Sequence, residues 1–203
     1  MKPLSTLLAA ALVAAGMTAG STAVMAQDVE QYVPIFSYRT GPYAPNGIPV
    51  ADGTVDYLKL VNAQGGINGV KFKIEECEFG FDTAKGIECY ERTKNKNGGA
   101  AIVQPISTGV TSALLKKAPE DEIAVIMAGY GPPEAADGEV FKWIFPVIPT
   151  YYVSADVTMQ AIGDREGGLE NLKGKKLDYV FMDAPFSYQF MPVFEAYAEK
   201  YGF

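Results

Sequence analysis

Strand-like and helix-like segments alternate along the chain from residue 32 onward, and that order constrains the fold more than any single residue. "YVPIF" (32–36) reads as a strand and "GTVDYLKLVNAQ" (53–64) as a helix, with Val55, Leu58, Leu60 and Val61 on its apolar face. "GGING" closes that helix: Gly65 or Gly66 takes the left-handed conformation and Asn68-Gly69 turns the chain. "VKFKIEEC" (70–77) alternates apolar and polar residues, as a half-buried strand does. A helix over 82–96 follows with Asp82 as its N-cap, then a strand at "AAIVQPI" (100–106). A helix opens at Ser107 or Thr108 and ends at Pro119, and "EIAVIMAG" (122–129) is a further strand. Beyond the Gly/Pro-rich loop "YGPPEAADG" come a short extended piece (141–147), an amphipathic helix (150–168), a strand at "KKLDYVFMD" (175–183) and a last helix (186–203). The β-α-β-α order predicts α/β architecture, a parallel sheet with helices on both faces. The chain is expected to cross after "FKWIFPV" into a second unit.

The first residues are set apart from this pattern. Lys2, an apolar stretch from Leu7 to Ala15, and small residues with Val24 and Ala26 at the cleavage positions predict a signal peptide over 1–26, leaving Gln27 as the first mature residue. The apolar stretch is shorter than the ~20 residues a membrane span needs. The protein is therefore expected in the periplasm. With 17 basic against 24 acidic residues the formal net charge is −7, and one more negative without Lys2. Such a charge repels nucleic acid and anionic membranes, so neither is expected as a partner.

The chain has no histidine. That removes Ser-His and Cys-His nucleophile activation and the commonest general base, and argues against an enzyme. The two cysteines, Cys77 and Cys89, fall at a strand end and on the next helix, where their side chains can meet. In an oxidising compartment such a pair reads as a disulfide, worth about 2–3 kcal/mol for so short a loop. Two buried thiols or a metal site are the alternatives, although zinc needs two further ligands. No cofactor or metal is expected.

In open parallel sheets ligands bind beyond the carboxyl ends of the strands. Four connections carry the distinctive residues there: "SYRTGPYAPNG" (37–47), "STG" (107–109), "AGYGPP" (128–133) and "DAPFSY" (183–188). In the first, Pro42 and Pro45 stiffen the chain around Tyr43, which lowers the entropy lost on binding, and Arg39 is a cation at the strand end. Ser107 and Thr108 stand at a helix start, where unpaired N–H groups favour an anion, or else cap the helix themselves. Gly129 permits close approach of a ligand, with Tyr130 as wall or hydroxyl donor. Phe186 and Tyr188 are candidate closing aromatics. "AGYGPPE" does not make a nucleotide site, because Glu134 repels phosphate and Pro132-Pro133 removes N–H groups. The acidic pairs Glu75-Glu76 and Asp121-Glu122 read as solvated.

Taken in order, "YRTGPYAPNG", "LVNAQGGINGVKFKIEECE", "AAIVQPISTG", "IAVIMAGYGPPE" and "FKWIFPV" resemble the branched-chain-amino-acid type of periplasmic substrate-binding protein of ABC transporters, from about residue 30 to the end. "N-A-x-G-G-I-N-G" is the most specific piece. The resemblance implies a type I periplasmic-binding-protein-like fold: two doubly wound parallel-sheet lobes, the second incomplete in this chain. Residues 27–146 form the first lobe, itself short of its C-terminal return segments, and 147–203 begin the second. It implies a monomeric receptor that holds a small carboxylate-bearing ligand between the lobes and passes it to an ABC permease; a sensing module for a signalling protein is the alternative. By the same resemblance Ser107 and Thr108 receive the carboxylate, Gly129 and Tyr130 meet the ligand, Tyr43 and Asn46 line the site, and Phe186 or Tyr188 covers it. Two departures stand out. Gly131 replaces a hydroxyl residue frequent in the family, and family members run to roughly twice this length, with the acid for the ligand's amino group expected beyond Phe203.

Overall fold

The computed structural model describes residues 30–203; the expected signal peptide lies outside them. Five strands occur among these residues: β1 (Glu30–Ser37), β2 (Lys71–Glu78), β3 (Ile102–Val103), β4 (Ala124–Met127) and β5 (Ile144–Pro146). The helices are α1 (Ala44–Ala63), α2 (Thr83–Thr93), α3 (Thr108–Leu114), α4 (Lys117–Asp121), α5 (Tyr151–Arg165), α6 (Pro185–Tyr188) and α7 (Met191–Tyr201), with short 3-10 turns between some of them.

All pairings between these strands are parallel. β1 runs beside β2 from Glu30↔Lys71 to Ser37↔Glu78, and β3, β4 and β5 are paired in that order. Bridges at Tyr32↔Ala100 and Ile35↔Gln104 join β1 to β3. The spatial order is thus β2-β1-β3-β4-β5, and the chain leaves β1 to one side and returns for β3 on the other. That reversal opens a crevice at the carboxyl ends of β1 and β3.

The period of two along β1 divides its side chains between two faces. Tyr32, Phe36 and Tyr38 enter a core with Phe79, Cys89, Tyr90, Val103, Val110, Leu114, Val125 and Met127, drawn from β2–β4, α2 and α3. Val33 and Ile35 face α1, where Thr54, Tyr57 and Leu58 line a shallow hollow over the sheet. The disulfide Cys77–Cys89 joins β2 to α2, with Cα atoms 5.9 Å apart and both residues buried. Asp82 caps α2, accepting from Lys85 N at 2.9 Å.

Four elements differ from the expectation. α1 starts nine residues before the predicted Gly53, at Ala44, so Asn46 lies in its first turn. Pro45 opens it without loss, since the first helical N–H groups have no intrahelical acceptor. Gly47 allows this entry: a Cβ there would lie 2.0 Å from the Tyr38 carbonyl oxygen. The helix expected over 107–118 is divided into α3 and α4, and the last helix into α6 and α7 with Pro192 opening α7. Pro192 has no N–H to give to the carbonyl four residues back and its ring clashes there, so the helical hydrogen bonds are interrupted between Tyr188 and Met191. Residues 175–183 form no strand. They carry strand-type residues, but no neighbouring strand is present among the described residues to complete a ladder, and Val180 is 92% exposed.

"N-A-x-G-G-I-N-G" has a physical account in this fold. Asn62 binds both backbone groups of Phe72, donating to its carbonyl and accepting from its N–H at 2.7 Å each. One side chain thereby acts as a rung of ladder between α1 and β2. Asn68 and Gly69 both have positive φ (52° and 82°) and close a tight turn in which Ile67 and Val70 exchange two bonds of 2.9 Å.

After β5 the packing changes. α5 lies against α7, with Tyr151 on Phe190 at 5.1 Å between ring centres and Tyr197 Oη donating to Asp156 at 2.5 Å. The opposite side of α5 leaves Val153 and Val157 exposed.

Candidate functional site

The crevice at the β1/β3 reversal is a cleft of about 470 Å³. Each wall comes from a different connection. The segment after β1 supplies Tyr38, Tyr43 and Asn46; the one after β2 supplies Phe81; the one after β3 supplies Gln104, Ile106, Ser107 and Thr108. Ala128, Gly129 and Tyr130 follow β4, Tyr151 begins α5, and Phe186 comes from α6. Of the residues predicted from the sequence, Tyr43, Asn46, Ser107, Thr108, Gly129, Tyr130 and Phe186 are brought together here. Tyr188 is not: it is half exposed, and its hydroxyl donates to Asp183 at 2.6 Å. Two residues along the helix rotate it about 200° away from Phe186 around α6.

The hydroxyl groups of the cleft are already ordered. Ser107 is the N-cap of α3 and accepts from Val110 N at 3.4 Å, so the capping alternative describes its side chain. Thr108 Oγ1 and Tyr151 Oη lie 2.9 Å apart, and Thr111 Oγ1 and Tyr130 Oη 2.8 Å apart. In each pair one hydroxyl donates to the other, and the accepting one keeps its own hydrogen for a third group. Burial raises the pKa of both tyrosines, which keeps them protonated and able to donate. The first-turn N–H groups of Thr108 and Gly109 have no acceptor within α3. No charged side chain lines the cleft among the described residues.

Arg39 takes no part in the lining. It pairs with Glu76 and, at 2.7 Å, with Asp52 on the outer surface. In the acidic pairs Glu76 is held by Arg39, Glu75 accepts from Lys96 at 2.6 Å and Asp121 from Tyr90 and Lys94, while Glu122 is exposed as expected. Glu78, the last residue of β2, brackets the two aromatic connections. Its carboxylate accepts from Ser37 Oγ (3.1 Å), Arg39 N (2.7 Å), Thr40 Oγ1 (2.8 Å) and Gly80 N (2.9 Å). Burial disfavours its charge, but these bonds outweigh that cost and hold its pKa below the ordinary glutamate value.

Sequence reading missed Tyr38, Phe81, Gln104, Ile106 and Tyr151. Phe81 had a signal: it follows the carboxyl end of β2, the same kind of place that singled out the other connections. Tyr151 had none, because the start of an amphipathic helix does not disclose which neighbour it meets.

Residues 30–203 match the family model described as periplasmic binding protein. Among solved structures, one described as an ABC transporter permease from the Pseudomonas fluorescens group is 43% identical, with a TM-score of 0.70, covering 86% of this chain and 43% of that one. A fatty acid ABC transporter substrate-binding protein from Thermomonospora curvata is 23% identical (TM-score 0.72; 86% and 43% covered). A branched-chain amino acid ABC transporter structure from Thermus thermophilus with bound valine is 21% identical (TM-score 0.71; 86% and 44% covered). The chain therefore spans less than half the length of these structures. No curated protein matches it.

Proposed function

Because the chain belongs to the periplasmic binding protein family, we propose that its cleft captures a small carboxylate-bearing solute (an amino acid, an aromatic acid or an amide) for delivery to an ABC permease. The observation that carries this reading is the convergence of connections from β1, β2, β3 and β4 with α6 around one cavity of about 470 Å³, within the range of small-molecule sites. The spare hydroxyl hydrogen of the Thr108–Tyr151 pair, both of whose members line the cleft, and the first-turn N–H groups of α3 suit carboxylate oxygens. Residues 27–146 and 147–203 belong to two lobes in this reading, and the ligand sits between them. The protein acts as a monomer in the periplasm, binds without turnover, and has no nucleic-acid partner.

Thermal-shift measurements on the full-length protein test it with a panel of amino acids, aromatic acids and amides. A ligand at a hundred times its Kd stabilises by about 2.7 kcal/mol. A panel in which no compound moves the transition rejects the receptor.

A further inference from the structure

The walls of the cleft are rich in rings, and several of those rings pack against one another. Tyr43 and Phe81 lie 4.3 Å apart between ring centres, tilted by 38°. Tyr38 stands edge-on to Phe81 at 4.9 Å and 77°, and Phe79 stands edge-on to Tyr38 at 5.9 Å. Tyr43 and Phe81 also line a smaller adjoining hollow of about 150 Å³, together with Thr108 and Phe186. The chain holds this array in place at some cost. Phe81 has φ 63° and Ile106 has φ 51°, a left-handed backbone that bulky and β-branched residues rarely adopt, and both side chains face the cleft. The four bonds to Glu78 and the two prolines around Tyr43 add further bracing.

We propose that the cleft selects a ligand bearing a flat aromatic ring, which stacks on the Tyr43–Phe81 pair with its carboxylate toward Thr108 and Tyr151. The inference rests on the receptor reading above and narrows it. A soft alkyl side chain packs on any apolar wall and has no need of a fixed one. A planar ring gains from offset-stacked or edge-to-face geometry with other rings at centroid distances of about 4.5–7 Å. It gains most when those rings are already immobile. Gln104 and Asn46, also in the lining, supply neutral polar contacts for ring substituents.

Matched pairs of probes test this on the full-length protein by isothermal titration calorimetry: benzoate against cyclohexanecarboxylate, and phenylalanine against leucine, with hexanoate and glycine betaine alongside. The aromatic member of at least one pair is expected to bind tenfold or more tightly than its saturated partner, with a red-shifted, weakened ring absorption in the complex. Phe81→Leu and, separately, Tyr43→Leu are expected to erase that preference while leaving the unfolding midpoint of a folded variant within a few degrees. Saturated probes, leucine, hexanoate or betaine binding as well as or better than the aromatic ones overturns the ring proposal and leaves the receptor standing. Aromatic binding untouched by both substitutions also overturns it, since the ring then sits elsewhere. Failure of every probe here and of the whole thermal-shift panel overturns both.

Discussion

Reduction of the Cys77–Cys89 bond is the perturbation whose size follows most directly from the fold. The two residues are 12 apart in sequence, and the segment they enclose holds Phe79, Gly80, Phe81 and Asp82, the turn that carries one wall of the cleft. On the chain-entropy account, −2.1 − 1.5R ln n with n taken as that separation gives about 2.8 kcal/mol at ~298 K, all of it acting on the unfolded chain. For a protein of this size each kcal/mol moves the midpoint by about 2–4 °C, so the reduced form should melt about 6–11 °C lower. Both cysteines are buried, which makes reductant more selective than truncation to alanine, where the cavity left behind adds its own loss. The assay is guanidinium or thermal unfolding with and without a phosphine reductant, with thiol labelling of the unfolded chain to count opened bonds. Two thiols labelled with a midpoint shift below about 2 °C would refute the entropic reasoning. No thiols labelled at all would show that the reductant never opened the bond, and harsher reduction is then required before the comparison counts.

Three further outcomes are expected. Gly47→Ala forces a Cβ to within 2.0 Å of the Tyr38 carbonyl and should destabilise by about 1–3 kcal/mol; urea denaturation that finds it as stable as the parent contradicts the close approach of α1. Asn62→Ala strips Phe72 of both partners and should cost about 1–3 kcal/mol, with faster exchange of the Phe72 amide hydrogen as the local signature. Acid should weaken the β1–β2 end of the sheet. The pKa of Glu76 is lowered mainly by its bond to Arg39, and that of Glu78 by hydrogen bonds that overcome burial. Depressed native values mean that stabilisation is complete above the usual glutamate pKa of about 4.3 and fades as pH falls through the lower native value. Urea midpoints measured from pH 7 to pH 3 should decline at the acid end, and Glu76→Gln should flatten that decline; an unchanged profile rules out the assignment.

Local chemistry explains what could be read in advance. Asp82 followed by an amphipathic run marks a cap and a helix whatever the surroundings, and the Asn68-Gly69 pair marks a turn because few other residues accept its backbone angles. Tyr43, Ser107 and Tyr130 were visible because residues at carboxyl ends of parallel strands share one side of the sheet by topology; Phe186 reaches the cleft from α6 although the strand expected before it does not form. Phe81 escaped because a lead-in to a helix was assigned only a capping role. Tyr188 was misplaced because two aromatics two residues apart are alike in a sequence and opposed on a helix.

From its sequence this chain already settled its class, its alternation of strands and helices as far as β5, the pairing of its two cysteines and the side of the sheet where a cleft opens, since periodicity, turn chemistry and spacing act within a few residues of themselves. Only the folded chain decided which of those residues meet: that Thr108 finds Tyr151 across 43 positions, that Arg39 turns outward to Glu76 and Asp52, and that 175–183 stays unpaired. Those outcomes depend on contacts between distant segments, and a strand has hydrogen bonds to make only when another strand lies beside it.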